Sequence, residues 1–191
     1  MAQTETSLRD SYKEQTRVRI LDAALALVSD SGEEPLTIAA VAQKAGIADR
    51  TVYRHFETRD ALIEAVWGRM QERVGSEGFP RSADALTDMP RHLFPRFDQS
   101  RQLVRASVYS VAGVEARMRS NPQRQEAMVE SVRDALPHLD GRTLRRRAAI
   151  AQLIGSAYAW EVLRQFWGMD GNEAGEAAAE ALAVLLGRRQ D

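Results

Sequence analysis

The sequence predicts an all-α protein with a small N-terminal unit and a larger helical region behind it. Apolar residues recur at helical spacing along nearly all of the 191 residues, and no run of strand length alternates between apolar and polar positions. Glycine, proline and capping residues divide this pattern into successive helices. The predicted helices lie at about residues 13–29, 37–46, 47–56, 58–74, 83–97, 100–118, 122–136, 143–167 and 172–187.

The first four helices each have a stop signal, a capping residue or an apolar stripe. Gly32 is a stop signal after the first helix, and Thr37 and Thr58 are N-cap candidates for the second and fourth. On the short third helix, Val52 and Phe56 are four residues apart and are expected to face the core together. The core-facing residues expected on the other three helices are Ile20, Ala24, Leu27, Val28, Ile38, Val41, Ala42, Leu62, Ile63 and Val66.

The segment "GSEGFP" at residues 75–80 interrupts the helical pattern and is the best candidate for a boundary. It divides the chain into a three-helix unit (1–57), a connecting helix (58–78) and a larger domain (79–191). Within the larger domain, Pro95 is expected to end or kink its helix, and Pro122 suits a first helical position.

Composition excludes several kinds of site and partner. Cysteine is absent, which removes disulfides, thiolate metal sites and cysteine nucleophiles. His92 and His138 do not have the spacing of metal ligands, and the motifs of hydrolases, zinc proteases and phosphate loops are missing. We therefore expect no metal, no cofactor and no catalytic residue. The polar N-terminus and the lack of an apolar run of bilayer length predict a cytoplasmic protein without membrane contact.

Residues 46–56, "GIADRTVYRHF", put polar and aromatic side chains on the outside of the short third helix. Arginine can bridge O6 and N7 of guanine, threonine can contact a thymine methyl group or a phosphate, and tyrosine offers a hydroxyl group. Such a cluster is typical of a recognition helix in a DNA groove. With Val52 and Phe56 facing inward, the outer side and its flanks carry Arg50, Thr51, Tyr53, Arg54 and His55.

The segment 36–66, "LTIAAVAQKAGIADRTVYRHFETRDALIEAV", resembles the DNA-binding motif of the TetR family of transcriptional repressors. The resemblance covers about a sixth of the chain. It implies an N-terminal helix-turn-helix domain, a larger ligand-binding and dimerisation domain, and a double-stranded DNA operator from which a small molecule releases the repressor. It also implies contacts to DNA from Thr37, Ala48, Arg50, Thr51, Tyr53, Arg54, His55 and Arg59.

Two features depart from the usual pattern of such a motif. Ala48 stands where a serine often caps the third helix, so that either Asp49 or no side chain caps it. Asp49 either complements the helix dipole, accepts from a cytosine amine or repels phosphate, and the sequence does not decide between these roles. Residues 1–74 contain 10 Lys and Arg against 12 Asp and Glu, so the positive charge expected near DNA is local and modest.

The helix predicted at residues 143–167 is apolar nearly all the way round between Ala148 and Leu163, and it must therefore be covered on two sides. Together with the last helix it is expected to form a four-helix interface with a second subunit, as the family resemblance also implies. The alternative is that both helices complete the core of one subunit. The expected interface residues are Ala151, Gly155, Ala159, Leu182, Leu185 and Leu186.

The large side chains of the connecting helix and the second domain are candidates for the wall of an effector pocket. Aromatic residues and methionines suit a mainly apolar ligand, but the same residues also fill ordinary cores. Arg105, Glu115 or His92 is available to anchor a polar end of such a ligand. The candidates for the wall are Trp67, Met70, Phe94, Tyr109, Met118, Met128, Trp160 and Phe166.

Other classes of function remain open on the residues alone. A helical bundle with a binding or enzymatic role and no DNA recognition is the competing interpretation. The basic run at residues 145–147 is expected to be a solvated helix start and not a second nucleic-acid site. Neither the effector nor the operator can be identified from the sequence.

Overall fold

The computed structural model describes residues 5–30, 35–76 and 78–188, with side chains from residue 10 onward. Eleven helices and no strand occur in these ranges, which confirms the predicted all-α class. Gly32, predicted to end the first helix, lies outside the described residues. The helices are α1 (Glu5–Asp30), α2 (Ile38–Ala45), α3 (Asp49–His55), α4 (Arg59–Val74), α5 (Ala83–Gln99), α6 (Arg101–Tyr109), α7 (Val111–Arg119), α8 (Asn121–Ala135), α9 (Gly141–Ile154), α10 (Ala157–Trp167) and α11 (Gly171–Leu185).

Capping residues fix the geometry of the helix-turn-helix. The hydroxyl oxygens of Thr37 and Thr58 accept from the backbone N–H groups of the third residues of α2 and α4, at 3.1 Å and 3.0 Å, as the sequence predicts. Gly46 ends α2 in the left-handed conformation with a φ of 64°, which a side chain would strain. The tight turn that follows directs α3 across α2.

The core of the N-terminal unit continues into the second domain. Ile20, Val41, Val52 and Leu62 are fully buried in one cluster formed by α1 to α4. Ala116 of α7, with its neighbour Ala112, belongs to the same cluster. The N-terminal unit therefore packs on α7 as well as on α4. A shift of either helix changes the packing beneath α3.

Two prolines and two glycines shape the packing of α5 against α11. The helix α5 runs through Pro90 and Pro95, so of the two predicted effects of Pro95, an end or a kink, the end is wrong. Gly171 and Gly175 of α11 lie so close to α5 that a Cβ atom on either would approach its backbone to 2.6 Å and 2.8 Å. This close contact covers one side of α5 between the prolines and stabilises the segment as a helix despite the lost hydrogen bonds.

Serines interrupt two predicted helices. The prediction of a helix over 100–118 is wrong because Ser110 is extended (φ −78°, ψ 150°) and its hydroxyl caps α7. The prediction of a helix over 143–167 is wrong for the same reason, since Ser156 is extended (φ −101°, ψ 161°) and caps α10. A serine hydroxyl replaces the backbone bonds that a helix would make at these points. None of the described helices is long and apolar enough to cross a membrane.

Candidate nucleic-acid interface and internal cavity

The two sides of α3 have opposite character. Val52 and Phe56 are 0% and 3% exposed, which confirms the predicted inward pair. On the other side Tyr53 is 51% exposed, and Arg50 and Arg54 are exposed as well. Neither arginine has a carboxylate partner among the described residues. The predicted outer residues Thr51 and His55 are half-buried on the flanks.

The N-termini of α2 and α3 lie beside this outer face. Thr37 is exposed while its hydroxyl oxygen caps α2. Ala48 is exposed at the N-cap of α3 and provides no side-chain hydrogen bond, and Asp49 lies in the first turn without capping it. Backbone N–H groups at both helix starts are therefore left for an anion.

Helix α1 adds cations that the sequence pattern did not reveal. Lys13 and Arg17 approach His55, and the Arg17 guanidinium lies 4.7 Å from the centre of the Phe56 ring. Burial lowers the pKa of His55 below its ordinary value of 6.5, and the charges of Arg54, Lys13 and Arg17 lower it further. The available signal was the spacing of Lys13 and Arg17, which puts them one turn apart on α1.

Arg59 does not stand free at the head of α4 to contact phosphate. Its Nε donates to the carbonyl oxygen of Leu36 at 2.7 Å, and its two terminal nitrogens donate to the carboxylate of Glu115 at 2.9 Å each. The hydrogen bonds from Arg59 hold the pKa of the Glu115 carboxyl below its ordinary value. A contact between Arg59 and phosphate would thus require this bidentate pair to open.

A second ion pair joins the same two helices. Arg119 of α7 lies 2.6 Å from Asp60 of α4 and 3.3 Å from Glu115. The start of α4, which is directly connected to α3, is therefore fixed to α7 by Arg59, Asp60, Glu115 and Arg119 together.

A partly open cavity of about 250 Å³ lies between α4, α5, α6, α7, α8 and the junction of α9 with α10. Of the eight side chains predicted for a pocket wall, Trp67, Met70 and Met128 line it. Phe94 and Trp160 are fully buried in the core beside it and do not line it. The remaining three, which are exposed on the surface, are Tyr109, Met118 and Phe166.

The polar groups in the cavity differ from those expected. Arg105 is paired with Glu161 at 2.9 Å, Glu115 with Arg59, and His92 is exposed, so none of the three expected anchors lines the cavity. Instead Arg117 of α7 and Arg124 of α8 line it. Sequence reasoning missed both because their position depends on how two separate helices cross.

The residues predicted for a dimer interface do not form one surface. Ala151, Leu182 and Leu186 are buried within this subunit. A Cβ atom on Gly155 would lie 2.6 Å from the Met89 side chain of the same chain, and Gly155 lines the cavity. The predicted residues Ala159 and Leu185 are half-buried and pack on these cores.

Large apolar side chains are exposed elsewhere on the last helices. Phe166 and Trp167 at the end of α10 are 78% and 73% exposed, and Val184 of α11 is 75% exposed. Val162, one turn before Phe166, is also exposed. These exposed apolar side chains are candidates for contacts with another protein.

A helix-turn-helix with a polar outer face, joined through a shared helix to a larger helical domain with a cavity, defines the class of helical DNA-binding regulators. Residues 20–66 match the family model described as bacterial regulatory proteins, tetR family. These residues span α2, α3 and the larger parts of α1 and α4, so the match confirms the resemblance in the sequence for this N-terminal region.

The relatives that match part of this chain are named transcriptional repressors. The HTH-type transcriptional repressor KstR of Rhodococcus jostii (strain RHA1) is 39% identical over 74 residues, which are 39% of this chain and 35% of the relative. KstR of Mycolicibacterium smegmatis is 36% identical over 74 residues, 39% of this chain and 36% of the relative. The match thus covers about a third of the length of these curated relatives.

Solved structures extend the likeness to the whole fold. The crystal structure of native NalD, the secondary repressor of the MexAB-OprM multidrug efflux pump in Pseudomonas aeruginosa, has a TM-score of 0.61. It is 19% identical and covers 89% of this chain and 94% of its own. A TetR transcriptional regulator from Rhodococcus sp. RHA1 has a TM-score of 0.54 at 18% identity and covers 92% and 97%. At these identities the likeness establishes the fold.

Proposed function

We propose that this protein is a transcriptional repressor that binds a palindromic double-stranded DNA operator as a homodimer and is released by a small molecule. The observation that carries the proposal is the position of α4. Trp67 and Met70 in its second half line the cavity, while Arg59 and Asp60 at its start are fixed beside the recognition unit.

The outer face of α3 supports direct reading of DNA bases. Arg50 and Arg54 have donors free for guanine edges or phosphate, and the exposed Tyr53 offers a ring and a hydroxyl. Thr37 and the start of α3 at Ala48 supply backbone N–H groups that position the protein on phosphates. Thr51 and His55 reach the groove from the flanks of the same helix.

The route from cavity to DNA runs through α4 and α7. Helix α7 carries Arg117 on the cavity wall and, two residues earlier, Glu115 on Arg59. A ligand that moves α7 or α4 therefore strains the Arg59–Glu115 pair and rotates the unit that holds α3. In a dimer this rotation changes the distance between two recognition helices, which must match half-sites about 34–36 Å apart or a multiple of that.

The exposed apolar residues of α10 and α11 support dimerisation through this surface. Val162, Phe166, Trp167 and Val184 replace the buried residues expected from the sequence as interface contacts. Half-buried Ala159 and Leu185 lie beside them and are secondary contacts. Sedimentation of Phe166→Asp at micromolar concentration tests this, with a monomer expected; a variant that remains as associated as the wild type contradicts the assignment.

The proposed DNA recognition is tested by selecting an operator from genomic fragments and measuring its affinity for matched variants. Tyr53→Phe and Arg54→Ala are expected to weaken binding at fixed salt. Arg146→Ala is the control, because Arg146 is exposed on α9 and belongs to the basic run at residues 145–147. Failure to select any fragment, or an equal loss in all three variants, would favour a helical bundle without DNA recognition.

A further inference from the structure

We propose that the ligand of the cavity is an amphipathic organic anion, whose carboxylate is held by Arg117 and Arg124 and whose apolar body lies along the remaining wall. The proposal rests on the proposed function only in calling this ligand the effector. It replaces the mainly apolar molecule expected from the sequence.

The two arginines converge on one indole ring. The guanidinium carbon of Arg117 lies 5.9 Å from the centre of the Trp67 ring, and that of Arg124 lies 5.8 Å from it. Arg117 also lies 5.3 Å from the Tyr158 ring, and Arg124 lies 5.0 Å from the Phe79 ring. Aromatic faces thus hold both cations at the same wall of the cavity.

Neither cation has an anion beside it in the part of the chain that the structure describes. Among the described residues no Asp or Glu lies within ion-pair distance of Arg117 or Arg124, and Arg124 meets only the Ser120 hydroxyl, at 3.5 Å. Most other buried or half-buried arginines are different, since Arg59 and Arg164, for example, have carboxylate partners at 2.9 Å and 2.5 Å. The indole N–H of Trp67 is buried and also has no acceptor.

The desolvation of Arg117 and Arg124 costs free energy in the ligand-free protein. Burial lowers the pKa of Arg117, and burial together with the charge of Arg117 lowers the pKa of Arg124 to about 10. A neutral apolar ligand would remove further water from both guanidinium groups and leave them without a partner, which opposes its binding. A carboxylate supplies two acceptor oxygens in the geometry that guanidinium groups prefer, so its binding relieves both costs.

The rest of the wall suits an apolar body. Met70, Val74, Leu93, Phe97 and Met128 also line the cavity, and methionines adapt to ligands of different shape. A volume of about 250 Å³ is large enough for a medium-chain or aromatic carboxylic acid. Free phosphate would fill the arginine end only and is therefore a weaker ligand.

The test uses straight-chain carboxylic acids from hexanoic to tetradecanoic acid, each matched with the primary alcohol of the same chain length. Binding is measured by calorimetry at neutral pH on the full chain, with inorganic phosphate as a headgroup without a body. We expect at least one acid to bind about tenfold to a hundredfold more tightly than its alcohol and than phosphate, as charge-assisted hydrogen bonds require.

Three variants show which residues cause the preference for the acid over the alcohol. Arg117→Met and Arg124→Met are expected to remove most of the preference for the acid while retaining affinity for the alcohol, which also shows that the variants are folded. Arg146→Met, at an exposed position of α9, is expected to behave as wild type. The proposal is overturned if no acid binds better than its alcohol, if phosphate competes equally, or if the preference survives in both cavity variants.

Operator affinity separates this proposal from the function proposed above. If the acid binds as expected and operator affinity does not change, the anion site stands and its role as effector fails. If no acid is preferred while operator binding still depends on Tyr53 and Arg54, the anion site fails and the repressor stands.

Discussion

The outer face of α3 and the wall of the cavity each carry two arginines that have no carboxylate partner among the described residues, but their surroundings differ. Arg50 and Arg54 are exposed, and water solvates them at little cost to folding. Arg117 and Arg124 are half-buried on aromatic rings, where burial lowers the pKa of both. The comparison shows that one surface is open to an anion of any size, whereas the other accepts only an anion that fits a cavity.

Arginines with partners lie between these two regions. Arg59 and Arg119 are held by Glu115 and Asp60 and join the base of the recognition unit to α7. We propose that Arg50 and Arg54 mark one binding site, that Arg117 and Arg124 mark a second, and that the ion pairs of Arg59 and Arg119 form the connection between them. Each of the following predictions tests one of these three assignments.

The largest effect is expected from Arg54→Ala, on the exposed side of the comparison. Operator affinity should fall by about 1–3 kcal/mol, because a specific base contact is lost, while the free energy of unfolding stays within about 0.5 kcal/mol. Anisotropy titration at fixed salt and urea denaturation measure the two quantities. A fall in stability that matches the fall in affinity would mean that Arg54 supports the fold instead of reading DNA.

A smaller effect is expected from Glu115→Gln, in the connection. The free energy of unfolding should fall by about 1–2 kcal/mol, because the half-buried guanidinium of Arg59 loses its charged partner. Since the pKa of Glu115 is lowered by Arg59, this stabilisation is present above the ordinary carboxyl value of 4.5 and is lost as the pH falls below it. Glu64→Gln, exposed on α4, is the control.

The difference between wild type and Glu115→Gln should therefore shrink in denaturation experiments as the pH falls below 4.5, and it should be smallest at the acid end of the series. A difference that persists there would show that Glu115 contributes through packing and not through its charge.

A still smaller effect of opposite sign is expected from Arg124→Met, on the buried side. Removing a desolvated cation while keeping the length of the side chain should raise the ligand-free free energy of unfolding by about 1 kcal/mol or less. Thermal unfolding beside Arg146→Met measures the change. Clear destabilisation would mean that stacking of Arg124 on Trp67 and Phe79 outweighs its desolvation.

The smallest effect concerns His55, at the edge of the exposed face. Its pKa in the free protein is below 6.5, so the imidazole is neutral at pH 7.5. A nearby phosphate would raise this pKa, so operator binding should take up a fraction of a proton and strengthen by less than about tenfold as the pH falls to 6. The charged neighbours that face His55 are Arg54, Lys13, Arg17 and Glu14.

The pH dependence of operator binding should be absent in His55→Gln. If operator affinity depends on pH as steeply in this variant as in wild type, the proton is taken up by another residue.

Local features of this fold were predictable from the sequence, and long-range ones were not. Val52 and Phe56 face inward because helical spacing alone puts them on one side, and Thr37 and Thr58 cap helices through residues three positions away. The ion-pair partner of Arg59, Glu115, is 56 residues away in the sequence, so no local pattern predicts this pair.

The candidate sites divide in the same way. The outer face of α3 follows from one short helix, but the cavity requires seven helices to pack together. Its arginines on α7 and α8 look like solvated surface residues in the sequence. Breaks at Ser110 and Ser156 were also missed, because serine within an apolar helical pattern is common and only tertiary packing decides whether it caps a new helix. The predicted dimer contacts depended on one continuous helix at residues 143–167, and the break at Ser156 divides that helix into α9 and α10.

Coupling between the cavity and α3 is the central claim, and one titration tests it most directly. The tightest-binding acid is titrated calorimetrically into the protein alone and into its operator complex. Linkage requires that the acid bind the free protein more tightly, by the same factor by which it weakens operator binding, about 5- to 150-fold for coupling of ordinary size. Equal affinity for the acid in the presence and absence of operator would contradict the claim, even if Arg117 and Arg124 hold the acid as proposed.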